Sequence, residues 1–207
     1  MNNSLRETYN SFADTYDVNR GAFDISDILN SFYSNLASKS GKLLDLGCGA
    51  GEPVASYFID NDWQVTGVDF SERMLELASK YAPKMKAVRS DISDVKFKSN
   101  EFDAVTATYS LFHIPSELHV DLFSEIFKWL KPKGKLLFTY ATKEATGVEE
   151  FSGYIKFMDT EFYYSHKKPA ELFCDLQRIG FTIEAQEYHT ICNETLLWIT
   201  AQKPDNK

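Results

Sequence analysis

The stretch Lys42-Leu43-Leu44-Asp45-Leu46-Gly47-Cys48-Gly49-Ala50-Gly51-Glu52-Pro53 constrains this chain more than any other. Leu43, Leu44 and Leu46 form the short apolar run expected of a parallel strand covered on both faces. Gly47, Gly49 and Gly51 permit a sharp turn and let a ligand approach the backbone where a Cβ would collide. Pro53 suits the first turn of a following helix, where its missing N–H costs nothing. Strand, glycine turn and helix N-terminus together predict an α/β protein with a nucleotide-type site at the turn.

The spacing narrows the ligand. A dinucleotide fingerprint reads G-x-G-x-x-G, whereas here Glu52 falls where the third glycine belongs, and a carboxylate there repels a pyrophosphate. No Gly-Lys-Ser/Thr follows, which excludes a P-loop. Asp69 ends a second predicted strand about 20 residues beyond the turn, where a carboxylate is placed to accept both hydroxyls of a ribose. Ser71 is the natural cap of the next helix, with Met74, Leu75 and Ala78 along its face. A third strand over 85–88 runs into Asp91-Ile92, and a fourth over 102–108 into Tyr109 and His113; such strand ends border the ligand in open α/β sheets. A helix is predicted over 116–130, a turn over 131–134 and a fifth strand over 135–140. A helix over 169–181 ends at Gly180, and strands over 182–188 and 195–201 read as an antiparallel hairpin at the sheet edge, turning at Cys192-Asn193.

Asp45-x-Gly47-x-Gly49-x-Gly51 resembles motif I of the class I S-adenosylmethionine-dependent methyltransferases. Val68-Asp69-Phe70-Ser71-Glu72-Arg73-Met74-Leu75 and Leu130-Lys131-Pro132-Lys133-Gly134-Lys135-Leu136-Leu137 resemble two further stretches of that family. The resemblance covers nearly the whole chain. It implies an α/β fold, a three-layer Rossmann-like sandwich whose seven-stranded, mostly parallel sheet carries an antiparallel C-terminal edge hairpin, with S-adenosyl-L-methionine as cofactor. It further implies cofactor contacts from Asp45, Gly47, Cys48, Gly49 and Gly51 at the turn, and from Asp69, Phe70, Ser71 and Met74 after the second strand. Asp91 and Ile92 are implied against the adenine, and Tyr109 beyond the fourth strand. The segment 6–17 resembles the N-terminal helix of small-molecule methyltransferases, so Tyr9 and Tyr16 are implied to close over cofactor and substrate.

Two helical patterns precede the first strand: Leu5, Tyr9, Phe12, Ala13 and Tyr16, then Ile25, Ile28, Leu29, Phe32, Tyr33 and Leu36. Residues 1–40 either cap the sheet or form a lid. The stretch 142–168 is long for a connection. It holds Phe151, Tyr154, Phe157, Phe162, Tyr163 and Tyr164 beside Glu144, Glu149, Glu150, Asp159 and Glu161. It reads as a partly helical substrate-specificity insert, or as an aromatic patch packed on the N-terminal helices. Aromatic faces and carboxylates together suit an acceptor with an amine beside an apolar body.

Methyl transfer is an in-line displacement in which positioning alone supplies ~7–11 kcal/mol. A base is needed only where the nucleophile must lose a proton. The catalytic candidates are His113, His166 (in a Tyr-Ser-His step that resembles one in some small-molecule methyltransferases) and its neighbour Tyr164. Cys48 is expected to pack rather than attack. His119 is expected to be solvated in mid-helix, with His189 in the edge hairpin; no metal site is expected, because no ligand spacing occurs.

The net charge of −8 and the lack of a basic stripe argue against nucleic acid as substrate. With no apolar leader and no run of ~20 apolar residues, the reading is a soluble cytoplasmic protein without a membrane partner. Three scattered cysteines form no disulfide framework. The 207 residues are read as a single methyltransferase domain, 1–207, ending in a loose polar tail over 203–207. The expected function is methyl transfer to an N or O atom of a small molecule. Competing readings are a methyltransferase for RNA or protein, and a non-catalytic cofactor-binding or partner module. The oligomeric state is not legible.

Overall fold

The structure, a computed structural model, describes residues 3–205. Its centre is β1 (Lys42–Leu46), paired in parallel with β2 (Gln64–Asp69) on one side and β4 (Phe102–Ala107) on the other. Leu43 through Leu46 are all buried, which is why their sequence does not alternate with polar residues. With β3 (Lys86–Arg89), β5 (Leu130–Tyr140), β8 (Thr182–Ile191) and β9 (Glu194–Gln202), the sheet runs β3-β2-β1-β4-β5-β9-β8. The order reverses between β1 and β4, and ligands of open sheets bind at such a switch point.

The sheet separates two apolar layers, as alternation along a strand requires. Leu43 and Val65 pack with Phe58 of α3 (Val54–Asp60) and Met74 of α4 (Glu72–Tyr81). Leu44 and Val105 pack on the opposite face with Ile126 of α5 (His119–Trp129) and Leu176 of α7 (Pro169–Ile179). Ser71 caps α4 as expected, its Oγ accepting the Met74 N–H at 3.2 Å, and Gly180 ends α7 at a φ of 117°. Ahead of the sheet lie α1 (Asn3–Asn19) and α2 (Ser26–Ser34). Among the described residues no helix is long and apolar enough to cross a membrane.

Several details differ from the sequence reading, but the closing hairpin lies at the sheet edge as expected: β8 is the edge strand, and β9 lies between β5 and β8, antiparallel to both. Its Leu196–Ile199 run is buried, whereas no residue of β8 is fully buried, so the more apolar strand takes the interior position. The stretch read as a turn at 131–134 belongs to β5, where a register shift opposite Phe102 and Ala104 absorbs it. The insert is partly helical as expected, but most of it is strand. After one short helix, α6 (Lys143–Thr146), it forms a separate antiparallel ribbon of β6 (Phe151–Phe157) and β7 (Thr160–His166). Met158 and Asp159 turn that ribbon in the left-handed region, as a tight hairpin demands, and its aromatic residues suit strands.

His119 is not solvated. The expected helix opens as a 3-10 turn, Ser116–Leu118, and α5 begins only at His119, turning the ring inward. Its Nε2–H donates to the Ile114 and Leu111 carbonyls at 2.9 and 3.1 Å. Nor is the tail loose at its start. Lys203 is buried, its Nζ donating to the Leu130 carbonyl at 2.7 Å and to Asn100 Oδ1 at 2.9 Å. Residues 206–207 of that tail lie outside the described residues. Lys203→Met keeps the aliphatic stem but strands those acceptors. The expected cost is about 1–3 kcal/mol, read as a lower urea midpoint at unchanged m-value.

Candidate active site

The glycine turn rises from β1 directly into a cleft at the switch point. Gly47 and Cys48 both donate backbone N–H to the Val68 carbonyl, at 2.8 and 3.0 Å, which pins the turn to the end of β2. Gly47 has a φ of 77°, and a Cβ there would collide with Ser110 Cβ. Gly49 differs: at a φ of 50° its missing Cβ would stand in open space, in the cleft itself. Gly51 is outside the cleft and packs on Ala82.

Two carboxylates are buried beneath the turn. Asp69 Oδ2 accepts the Gly49 N–H at 2.9 Å and Oδ1 the Ser71 N–H at 2.8 Å. Burial pushes its pKa up to about 6, against the pull of those backbone donors. Asp45 accepts from Thr106 Oγ1 at 2.7 Å, and burial, with Asp69 adding, pushes it up to about 7. Glu52 and Glu194 complete the charged lining; no Lys or Arg among the described residues lines the cleft. Such a cavity favours a ligand that brings positive charge and hydroxyl donors, and disfavours phosphate. The cleft encloses about 1120 Å³, its mouth included.

Helix α1 lines one side of the cleft. Tyr9, Phe12 and Tyr16 face the cleft, and Tyr16 donates to the Glu52 carbonyl at 2.8 Å. Phe70 packs edge-on against Tyr9 with centroids 5.7 Å apart, and Met74 and Ile92 complete that wall. Ser71 lies behind it, donating to Asn10 Oδ1 of α1 at 2.7 Å. Asp91 is also outside the lining; its Oδ1 accepts the Ser93 N–H at 2.8 Å. Cys48 is buried in the lining, and its thiol pKa is pushed well above the usual value, chiefly by burial, so it packs as a neutral group.

The hydrogen bonds of His113 fix its tautomer. Nδ1 lies 2.7 Å from the Tyr163 carbonyl, which can only accept, so Nδ1 carries the proton. Nε2 is then the acceptor for the Tyr9 hydroxyl at 2.6 Å. Burial pushes the ring pKa down to about 4. His166 is elsewhere. Its Nε2 meets Thr146 Oγ1 at 2.8 Å and its ring stacks on Phe151, fastening α6 to the ribbon rather than facing the cleft. The insert's acidic residues also face away: Glu149, Glu150 and Asp159 pair with Lys143, Lys168 and Lys156 on the surface. Only aromatic rings of the insert, Phe157, Phe162 and Tyr164, line the cleft.

Tyr109 stands at the end of β4 with a φ of 54°, rare for a bulky residue, held by its N–H to Thr139 Oγ1 at 2.7 Å. Its hydroxyl is buried and has no partner among the described residues. Tyr164 stacks on Phe112 and donates to Glu194 Oε1 at 2.6 Å. Glu194 escapes a sequence reading because nothing local marks it; its place depends on where the β8–β9 turn lands. Phe23 and Phe112 likewise reach the cleft from segments whose spacing signals only packing. No group of three or more metal-ligating side chains occurs among the described residues.

His113 should stay neutral where a free imidazole, with a pKa of about 6.5, half-protonates. Its contribution to stability is complete above about pH 6.5 and is lost as pH falls toward its folded value of about 4. Long-range ¹H–¹⁵N spectra between about pH 5.5 and 7.5 are expected to show a fixed Nδ1–H tautomer. A ring titrating in that window contradicts the assignment.

Residues 44–138 match the family model of a methyltransferase domain. The chain is similar to phosphoethanolamine N-methyltransferase 1 of Triticum aestivum, 33% identical over 145 residues, covering 67% of this chain and 28% of that protein. It is also similar to demethylmenaquinone methyltransferase of Staphylococcus aureus (strain MRSA252), 30% identical over 156 residues, covering 72% of this chain and 64% of that protein. It thus spans little more than a quarter of the first relative and less than two thirds of the second. Its fold is similar to that of Burkholderia thailandensis 1,6-didemethyltoxoflavin-N1-methyltransferase with bound 1,6-didemethyltoxoflavin and S-adenosylhomocysteine. That likeness has a TM-score of 0.69 at 20% identity, over 96% of this chain and 85% of that one. The matched domain, the sheet order and the glycine turn above its two buried carboxylates agree, and the chain belongs to the class I S-adenosylmethionine-dependent methyltransferase family.

Proposed function

We propose that this chain transfers a methyl group from S-adenosylmethionine to an N or O atom of a small molecule held beneath α1. The observation that carries this reading is the cleft's charge: four carboxylates line it, no lysine or arginine among the described residues does, and only Glu52 among the four has a basic partner, Arg20 outside the lining. A cationic cofactor without phosphates fits that lining, and the space beside Gly49 that a Cβ would fill is where it would lie against the backbone. When bound, S-adenosylmethionine supplies an electrophilic sulfonium methyl.

In this reading Asp69, with a lone pair free on each oxygen beyond its two backbone bonds, takes the ribose hydroxyls. Ile92 packs the adenine, and Asp91, half-buried next to it, is the adjoining carboxylate for the exocyclic amine. Asp45 and the Gly47–Gly49 backbone hold the amino-acid end. Tyr9, Phe12 and Tyr16 exclude water, so residues 1–40 serve as a lid and 142–168 as the specificity insert of one domain. His113 takes no proton while Tyr9 occupies its Nε2; it positions Tyr9, and the reaction rests mainly on alignment. The names of the relatives, which refer to phosphoethanolamine, demethylmenaquinone and didemethyltoxoflavin, support a small-molecule acceptor. The free thiols of Cys48, Cys174 and Cys192 suit a reducing compartment such as the cytoplasm.

Calorimetry with S-adenosylhomocysteine is expected to show binding, weakened about 10–100-fold by Asp69→Ala through loss of charge-assisted hydrogen bonds. Methyl-labelled cofactor, incubated with a metabolite extract, total RNA and a protein extract, is expected to label the metabolite fraction. Label found only in RNA or protein overturns the acceptor class, and absent homocysteine-derivative binding overturns the cofactor.

A further inference from the structure

We propose that Glu194 is a specificity-determining residue that seats a cationic amine of the methyl acceptor, an inference that rests on reading the cleft as a methyl-transfer site. Glu194 opens β9, immediately after the Cys192-Asn193 turn. In sheet order β9 lies three strands from β1, roughly 14 Å at ordinary strand spacing. Because β9 runs antiparallel to β5, its first residues sit at the carboxyl ends of the parallel strands, level with the ligand-binding edge. Glu194 therefore enters the same cleft as Asp45 and Asp69, but from the side remote from the glycine turn.

Its surroundings leave half of the carboxylate unused. Oε1 accepts the Tyr164 hydroxyl at 2.6 Å. No hydrogen bond to Oε2 and no ion pair with Lys or Arg occurs among the described residues; burial raises its pKa and only the Tyr164 hydrogen bond opposes that. Glu194 is half-buried without a counter-charge, which is costly, and a ligand cation relieves that cost. The walls suit such a ligand. Phe23 packs against Tyr109, Tyr16 and Phe157 with ring centroids 5.5–6.3 Å apart, and all four rings line the cleft. Aromatic faces attract ammonium groups. The Tyr109 hydroxyl, buried and unpartnered on a left-handed backbone, supplies a further polar contact within the same wall. None of the insert's acidic residues lines the cleft, so they cannot play this part. The charge that selects the acceptor comes from the C-terminal hairpin instead.

The test uses the full chain saturated with S-adenosylhomocysteine and a panel of arylalkylamines, each paired with its alcohol, such as phenethylamine with 2-phenylethanol and tryptamine with tryptophol. Binding is followed by calorimetry and by fluorescence of Trp198, whose ring lies 5.6 Å from that of Tyr109. Amines are expected to bind about tenfold more tightly than their alcohols. Glu194→Gln, which keeps an acceptor for Tyr164, is expected to abolish that preference, read as the ratio of amine to alcohol affinity within each pair. A wild-type protein with no amine preference anywhere in the panel overturns the proposal, as does a preference that survives in Glu194→Gln. Failure of S-adenosylhomocysteine to bind would instead remove the methyl-transfer reading beneath it.

Discussion

One buried side chain holds the ligand-binding end of this protein together. Asp69 closes β2, and its two oxygens reach in opposite directions, to the Gly49 N–H of the glycine turn and the Ser71 N–H that opens α4. Two loops at the cleft are thereby fixed to one strand end by charge-assisted hydrogen bonds, roughly twice as strong as neutral ones. The rest of the cleft follows from this. The turn can hold its left-handed glycines because its N–H groups have partners, and α4 starts where Ser71 can serve both as its cap and as a donor to α1. The tie also explains why a carboxylate tolerates near-complete burial beside a second one, Asp45.

The cover of the cleft is joined differently. The apolar stripe of α1, Leu5, Phe12 and Ala13, is buried, but its polar links are short-range and many are exposed. Asp14 pairs with Arg73, Asp17 with Tyr81 and Arg20 with Glu52. Exposed pairs of this kind contribute about 0–1 kcal/mol each. Three part-buried hydrogen bonds lie deeper: Tyr9 to His113 just beyond β4, Tyr16 to the Glu52 carbonyl, and Ser71 to Asn10. The cover is thus joined to the cleft through side chains, whereas the sheet beneath it is held by backbone pairing and continuous apolar layers.

The parts of this architecture that were legible are those encoded by neighbours in sequence. Leu43 to Leu46 announce a buried strand, Ser71 a helix cap and Gly180 a helix end, each through local chemistry that the fold then uses. The failures have a common cause. His119 and His166 sit in the kinds of segment that were foreseen or nearly so, yet one ring turns inward to bind carbonyls and the other fastens the insert. Lys203 looks like a tail residue and is a buried donor. The insert's aromatic residues fit a strand as well as a helix, and their period settles neither. In each case the deciding partner lies far away in sequence, fixed by the register between β5 and β9 or by where α6 meets β7. Glu194 is the extreme example, since it is unremarkable except in the cleft that the rest of the chain has built.

That placement of β9 bears on how the molecule is made. The ribosome delivers β1 to β5 first, and with them the glycine turn, Asp69 and all parallel pairings of the sheet. Until β9 emerges, β5 presents a bare edge, the kind of surface that recruits foreign strands. β9 then enters beside β5, covering that edge and bringing Glu194 into the cleft in one movement. A nascent chain lacking β9 would therefore carry an open sheet edge and a cleft without the Glu194 carboxylate, because one strand supplies both.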